Sequence, residues 1–303
     1  MLETTNKPET LKLDFFSYLK ALFNLMKPRV MSLVIFTCVV GLLIAPTEVN
    51  FINAVVSILA VALGSGAAGA LNMWYEADLD SIMTRTCLRP IPTGKISKKQ
   101  ALIFGTTASI ISVIVLFVFS NAIATLMLAT TILFYIFVYT IWLKQKTPQN
   151  IVIGGAAGAF PPIIGWAIAT GDISIQPLML FLIIFIWTPS HFWALSLYKT
   201  DDYKKANIPM LPITSGIKTT KINIFVYALL LIPTVLLPVF FNFFGLFYFI
   251  CVAVMGFYYA FICYRLMKVN EPSLEKKIAK TIFGFSIFYL FMIFTSILVD
   301  RII

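Results

Sequence analysis

Asn72-Met-Trp-Tyr-Glu76-Ala-Asp78-Leu-Asp80 closes the apolar run Phe51–Tyr75, and that junction decides how the chain is read. A bilayer span takes about 20 predominantly apolar residues, and Phe51–Tyr75 supplies that length without a single charge. Carboxylates are expensive beside hydrocarbon, so acids placed there mark a functional site by default. On a helix, Asn72, Glu76 and Asp80 fall one turn apart on one face. Three oxygen-bearing side chains on one face suit Mg2+, a hard cation that shares its shell with substrate phosphates. Asp78 falls off that face and is read as a structural acid. A second pair, Asp201-Asp202, follows the apolar run Phe181–Leu197, so five of only 13 acids end two apolar segments. The pattern predicts a magnesium–diphosphate site at a membrane surface.

Composition sets the class. The chain is 60% hydrophobic and 12% charged, with a mean hydropathy of +0.93, which excludes an ordinary soluble domain. Nine stretches have the length and apolarity of a span: residues 30–45, 51–75, 101–119, 122–143, 151–170, 178–197, 222–241, 244–264 and 281–299. They are too long and too uniformly apolar for barrel strands, which alternate over about ten residues. The expectation is an all-α, polytopic bundle of nine transmembrane helices around a central cavity. It occupies residues 30–303 behind a cytoplasmic or interfacial segment, residues 1–29.

Charge orients the bundle. Of 23 lysines and arginines, 22 fall on one side of these spans and only Arg301 on the other. Basic loops stay cytoplasmic, so the amino terminus and both acid clusters are expected inside the cell. A net charge of +10 then argues for anionic lipid and an anionic substrate, and no compact basic domain suggests nucleic acid. The first 29 residues carry Glu3, Glu9 and Asp14 and lack an apolar core, unlike a signal or transit peptide. Leu11–Met26 spaces apolar residues as an interfacial helix does. Four cysteines in no ligand spacing and a single histidine exclude a multi-histidine metal site within one chain.

The chemistry follows from acids and cations together. Mg2+ held by Asn72, Glu76 and Asp80, and by Asp201 or Asp202, would bridge a diphosphate. Arg85, Arg89, Lys144 and Lys146 would neutralise its remaining charge, while Lys27 and Arg29 serve either there or as membrane anchors. A diphosphate so clamped leaves readily, because the charge developing on it is already matched. An allylic prenyl chain would depart as a cation, sheltered by ring faces such as those of Trp74, Tyr75, Phe192 and Trp193. This combination predicts an intramembrane prenyltransferase. His191 lies inside the sixth span, about two turns before the aspartate pair, and is either a packing residue or a base or acceptor contact. Tyr198 precedes Asp202 by one turn and is expected on its face. Gly64–Ala70 and Gly154–Ala159 are read as close helix contacts. An acid-tipped helix followed by a Pro-bearing basic loop recurs four spans apart, a weak internal symmetry.

From about Leu25 onward the chain resembles the protohaem IX farnesyltransferases, a branch of the UbiA-type intramembrane prenyltransferases. The resemblance rests on Lys27-Pro-Arg29-Val, Asn72 to Asp80, Met83-Thr-Arg85-Thr-Cys-Leu-Arg89-Pro-Ile-Pro-Thr-Gly94 and Thr147-Pro-Gln-Asn150. It rests further on Pro161-Pro162-Ile-Ile-Gly165-Trp166, Thr188-Pro-Ser-His191-Phe-Trp and Tyr198-Lys-Thr-Asp201-Asp202-Tyr203. In the wider superfamily the first motif has aspartate where Glu76 stands, and benzoate-accepting relatives carry aspartates where His191 and Tyr198 stand. The resemblance implies farnesyl transfer from farnesyl diphosphate to the vinyl group of haem B, giving haem O. Asp80, Asp202, His191 and Tyr198 would be catalytic, Mg2+ the cofactor, and haem B a substrate rather than a cofactor. It also implies a bacterial inner membrane, lipid contact and a haem-A-synthesis or oxidase-assembly partner. The alternatives are a prenyltransferase for a quinone or chlorin precursor and, more remotely, a transporter.

Overall fold

A computed structural model describes residues 13–303, among which there is no strand. The chain opens with α1 (Phe15–Leu25), capped by the Asp14 carboxylate, which accepts from Ser17 N–H. Phe15, Phe16, Leu19 and Phe23 point outward while Ala21 and Leu25 are buried, the two-sided pattern of an interfacial helix. Leu11 and Lys12 of that predicted helix, with the rest of residues 1–12, lie outside the described residues. α2 (Pro28–Leu43) turns from α1 by 56° and supplies the first predicted span. Eight further segments are long and apolar enough to cross a bilayer: α3 (Phe51–Tyr75), α5 (Lys98–Phe119), Ala122–Leu143, Asn150–Thr170, α9 (Ile175–Tyr198), α12 (Gly216–Phe240), α13 (Leu246–Lys268) and α14 (Pro272–Ile302). These match eight of the nine predicted spans; the first, α2, has 16 residues and reaches span length only together with α1 as a bent pair.

Two spans change character midway. Ala122–Leu143 begins as α6 (Ala122–Leu133) and widens into a π-helix over Phe134–Leu143, a form that recurs at functional sites. Asn150–Thr170 divides at Phe160 into α7 (Asn150–Ala159) and α8 (Pro161–Thr170), because Pro161 and Pro162 lack the N–H groups that would continue the ladder. α3 packs along α5, α2 along α8, and α9 lies between α7, α12 and α14. The α2–α8 contact is backbone to backbone. A Cβ on Gly41 would overlap Pro162 O, and one on Gly165 would overlap Cys38 O, so only glycine permits this approach.

The predicted uninterrupted helix through Asn72, Glu76 and Asp80 is corrected. α3 ends at Tyr75, Glu76 adopts φ −91°, ψ 9°, and the short α4 (Ala77–Ile82) begins beyond it. Glu76 N–H still donates to Asn72 O (3.0 Å) and Asp80 N–H to Glu76 O (2.8 Å). One-turn spacing therefore survives a bend in the axis. α9 ends in the same manner: it stops at Tyr198, Lys199 adopts φ −118°, ψ 21°, and α10 (Thr200–Lys205) follows. The symmetry suspected in the sequence thus has a structural counterpart, a long helix, a one-residue break and a six-residue helix. The second break also separates Tyr198 from Asp202, so the common face expected for them is interrupted. A single turn, α11 (Leu211–Thr214), connects α10 to α12.

Candidate active site

Asn72, Glu76 and Asp80 are 2–3% exposed, and each is met by one cation. Lys27 Nζ donates to Asn72 Oδ1 at 2.5 Å, and Lys144 Nζ lies 2.5 Å from Glu76 Oε1. Arg89 Nη1 reaches both Asp80 oxygens, at 2.8 and 2.7 Å. A buried carboxylate left alone would cost several kcal/mol, so these pairings let three polar groups sit where α3 meets α4. Asn72 Nδ2 donates in turn to Thr140 Oγ1 (3.1 Å), tying the triad to the π-helix. Asp78 is exposed and paired with Lys98, as expected of a structural acid.

Each cation is placed by local chain geometry. Lys27 lies at the α1–α2 break in a left-handed conformation, φ 54° and ψ 58°. Such a backbone costs about 1–3 kcal/mol for a residue other than glycine, and the residue before a proline is restricted further. That strain is held in place by packing and by the bond to Asn72. Burial, and next the Arg89 guanidinium, bring the Lys27 ammonium down from 10.5 to about 7. Arg89 is set by a compact loop in which Thr86 Oγ1 donates to Asp80 O (3.0 Å) and Arg89 N–H to Thr86 O (3.0 Å). Lys144 closes the π-helix, its N–H donating to Tyr139 O at 3.0 Å. Arg29, Arg85 and Lys146 are exposed and form no ion pair among the described residues.

The second cluster separates its two acids. Asp202 is buried, its oxygens 2.8 and 2.7 Å from Thr84 Oγ1, with Lys199 Nζ at 3.9 Å. Asp201 is 82% exposed and lies 3.7 Å from Lys276, on an open pocket of about 460 Å³ shared with Lys204 and Lys205. Thr84 belongs to the loop that carries Arg85 and Arg89, so its hydroxyl joins the two halves of the site. No three carboxylate, histidine or thiol groups among the described residues are gathered into a metal cage; the acids are engaged by cations instead. The donor set is nonetheless all oxygen. Glu76 Oε1 is sealed from water with the Lys144 ammonium against it, and a set of oxygen donors such as this suits a hard cation.

A model described as the UbiA prenyltransferase family matches residues 34–292. The chain belongs to this family. A protein of Pelagibacter ubique named protoheme IX farnesyltransferase is 63% identical over 282 residues, covering 93% of each chain. One of the same name from Parvibaculum lavamentivorans is 50% identical, covering 92% of this chain and 88% of its own. Among solved structures, digeranylgeranylglyceryl phosphate synthase superposes with a TM-score of 0.75 at 20% identity, covering 94% of this chain and 99% of that one. A UbiA homolog from Archaeoglobus fulgidus bound to GPP and Mg2+ gives 0.65 at 15% identity, covering 91% and 99%. These two establish the shared fold.

In this UbiA-family chain the aromatic rings beside the triad are not the expected ones. Trp74 packs on the α1 cluster, Tyr75 is exposed, and Trp193 lies edge-on to Tyr227 in the core. The triad is flanked instead by Tyr135 and Tyr139, stacked at 5.3 Å, with Lys27 Nζ 6.0 Å from one ring and Lys144 Nζ 5.9 Å from the other. Gly154 seats Tyr139, since a Cβ there would overlap its ring, so this glycine serves the close contact expected of Gly154–Ala159. A second aromatic group surrounds His191, which stacks between Trp187 (4.2 Å) and Phe283 (4.5 Å) and meets Phe192 edge-on. Tyr198 meets the edge of Phe283 at 5.9 Å. Sequence reasoning missed Tyr135, Tyr139, Thr140, Thr84, Phe283 and Ser286. In an apolar chain with 12 tyrosines and 28 phenylalanines nothing marks these as special.

Proposed function

We infer that this chain transfers the farnesyl group of farnesyl diphosphate to a vinyl group of haem B, forming haem O. The strongest support is a relative of that name at 63% identity across 93% of both chains. The geometry agrees: two acid-tipped helices meet through Thr84, with a lysine on Glu76 and an arginine on Asp80.

Asn72, Glu76, Asp80 and Asp202 are the residues that would hold Mg2+, with Asp201 placed at the exposed edge. When bound, the metal supplies positive charge that stabilises the departing diphosphate. Lys144 and Arg89 neutralise Glu76 and Asp80, and Lys27 bonds the Asn72 amide; these three cations would also be within reach of the phosphate oxygens. Arg29, Arg85 and Lys146, unpaired at the surface, draw the anion in. Tyr135 and Tyr139 present ring faces beside Lys27 and Lys144, where positive charge developing on the prenyl chain is best met. The C–O bond breaks with its electron pair leaving on diphosphate, and the prenyl carbon bonds the terminal vinyl carbon of haem B. Water captures the resulting cation beside the porphyrin ring and releases a proton, leaving the hydroxyl of haem O. His191 and Tyr198 line the acceptor side. The basic end of the bundle faces the cytoplasm of a bacterial inner membrane, a reading the loop charges support, and a haem-A-synthesis or oxidase-assembly protein takes the product.

Purified protein incubated with haem B, farnesyl diphosphate and Mg2+ should yield haem O by mass. The product should disappear with chelator and in Asp80→Ala. Farnesylation of an aromatic acceptor but not of haem B would overturn the acceptor.

A further inference from the structure

The chain's only histidine is held through one ring nitrogen. His191 Nδ1 lies 2.7 Å from Ser286 Oγ, and Ser286 Oγ lies 2.8 Å from Phe283 O. With the serine hydroxyl on Phe283 O, the serine oxygen accepts from His191, Nδ1 carries the proton, and Nε2 is a lone pair. Nε2 has no hydrogen-bond partner among the described residues, on a residue that is 6% exposed.

The ring is also held by stacking. Trp187 and Phe283 stack on its two faces within 23° of parallel, and Trp187 Nε1 donates to Ser286 O at 2.8 Å, locking α9 to α14 at this level. No carboxylate among the described residues pairs with His191. A general base would need such a partner to stabilise its imidazolium, whereas a metal ligand needs a neutral ring. A ring whose far N–H is held by a second group while Nε2 stays free is the usual form of a histidine that ligates a metal, and histidine is a common axial ligand of haem iron.

We propose that His191 Nε2 binds the iron of the acceptor haem, anchoring the porphyrin so that its vinyl group faces the diphosphate end. The proposal rests on haem B being the acceptor. His191 lies seven residues before the end of α9 at Tyr198, about 10 Å along the helix at 1.5 Å per residue, and Asp202 follows past the Lys199 break. With one histidine in the chain, ligation within a protomer is single and leaves the opposite axial position open.

The test is spectroscopic. Full-length protein in detergent is titrated with ferrous haem B and followed by absorption and by the iron–imidazole stretch in resonance Raman, with haem O measured separately by mass. Wild type should show one imidazole on iron. His191→Ala should lose that stretch and bind haem roughly tenfold or more weakly, and added imidazole should restore the spectrum. Ser286→Ala should keep the ligand but shift the stretch, because the Nδ1–H loses its acceptor; a purely structural serine would not move it. Wild type alone offers a check that needs no variant: iron-free protoporphyrin IX should bind about tenfold more weakly than haem B. Equal affinity for the two porphyrins, or an unchanged spectrum in His191→Ala, overturns the ligand while haem O formation by wild type keeps the acceptor reading. Wild type that neither binds haem B nor forms haem O overturns both.

Discussion

The two acid-tipped helices share a design and differ in how they are charged. At the end of α3 the three groups of the shared face are buried and each is met by its own cation: Asn72 by Lys27, Glu76 by Lys144, Asp80 by Arg89. At the end of α9 one acid is buried and the other is in water, and the buried one is met mainly by a neutral hydroxyl. The buried ion pair that follows in this half, Lys221–Glu275 at 2.8 Å, joins α12 to α14 instead of reaching Asp202. The first cluster is therefore built of buried cation contacts, while the second rests on a hydroxyl that reaches across from another loop. A symmetric pair of metal sites would not look like this.

The largest effect should come from breaking the structural pair. Lys221→Ala leaves Glu275 buried without its cation and also removes the donor to Val269 O (2.6 Å). Uncompensated burial of this kind costs about 3–5 kcal/mol, which should appear as a large loss of thermal stability in detergent while the folded fraction still forms haem O. A folded Lys221→Ala protein without activity would mean that this pair belongs to the reaction. Asp80→Ala should be the reverse, keeping the fold and lowering the rate about 10²–10³-fold, the scale for losing one charge-stabilising group. Rates measured across Mg2+ concentration, with melting temperature as control, separate the two cases.

Much of this arrangement was legible in the sequence. A bilayer demands unbroken apolar length, so nine spans could be counted, and acids at span ends stand out against so little charge. The breaks at Glu76 and Lys199 left no mark, since neither Tyr75-Glu76-Ala77 nor Tyr198-Lys199-Thr200 contains glycine or proline. The π-helix was equally silent, because periodicity cannot be read from Phe134–Leu143, a nearly uniform apolar run. The partners that complete the site are far away in sequence: Thr140 is 68 residues from Asn72, Thr84 is 118 from Asp202 and Ser286 is 95 from His191. Hydroxyls and rings are ordinary in spans, so only tertiary packing reveals which of them reach the acids. Trp193 and Tyr75 were named as flanking aromatics on chain proximity, whereas packing sends the first into the core and the second to the surface.

The second cluster offers a finer cut. Asp202→Ala should lower haem O formation about 10–10²-fold, less than Asp80→Ala, since removing one charge-assisted contact costs about 1.5–3 kcal/mol. Asp201→Ala should change it by less than about twofold, because an exposed pair is worth at most about 1 kcal/mol. Equal losses at 201 and 202 would restore the symmetric site. So would equal losses at 80 and 202.

A last prediction concerns the link itself. Thr84→Val keeps shape and removes the only hydroxyl that joins the first loop to Asp202 among the described residues. Asp202 would then face Lys199 alone, at 3.9 Å. Loss of a neutral hydrogen bond to a buried carboxylate is worth about 1–3 kcal/mol, part of it recovered by water, so the rate should fall roughly tenfold. If the hydroxyl only steadies Asp202, extra Mg2+ should restore most of that rate, because the metal can hold the carboxylate in its place. If instead it couples the two loops so that both clusters close together, excess metal should not help, and Thr84→Val combined with Asp202→Ala should be no slower than Asp202→Ala alone. The response to excess Mg2+ decides whether the two helices act as one site or as a strong half and a weak half sharing a boundary, and the double mutant checks that Thr84 acts through Asp202.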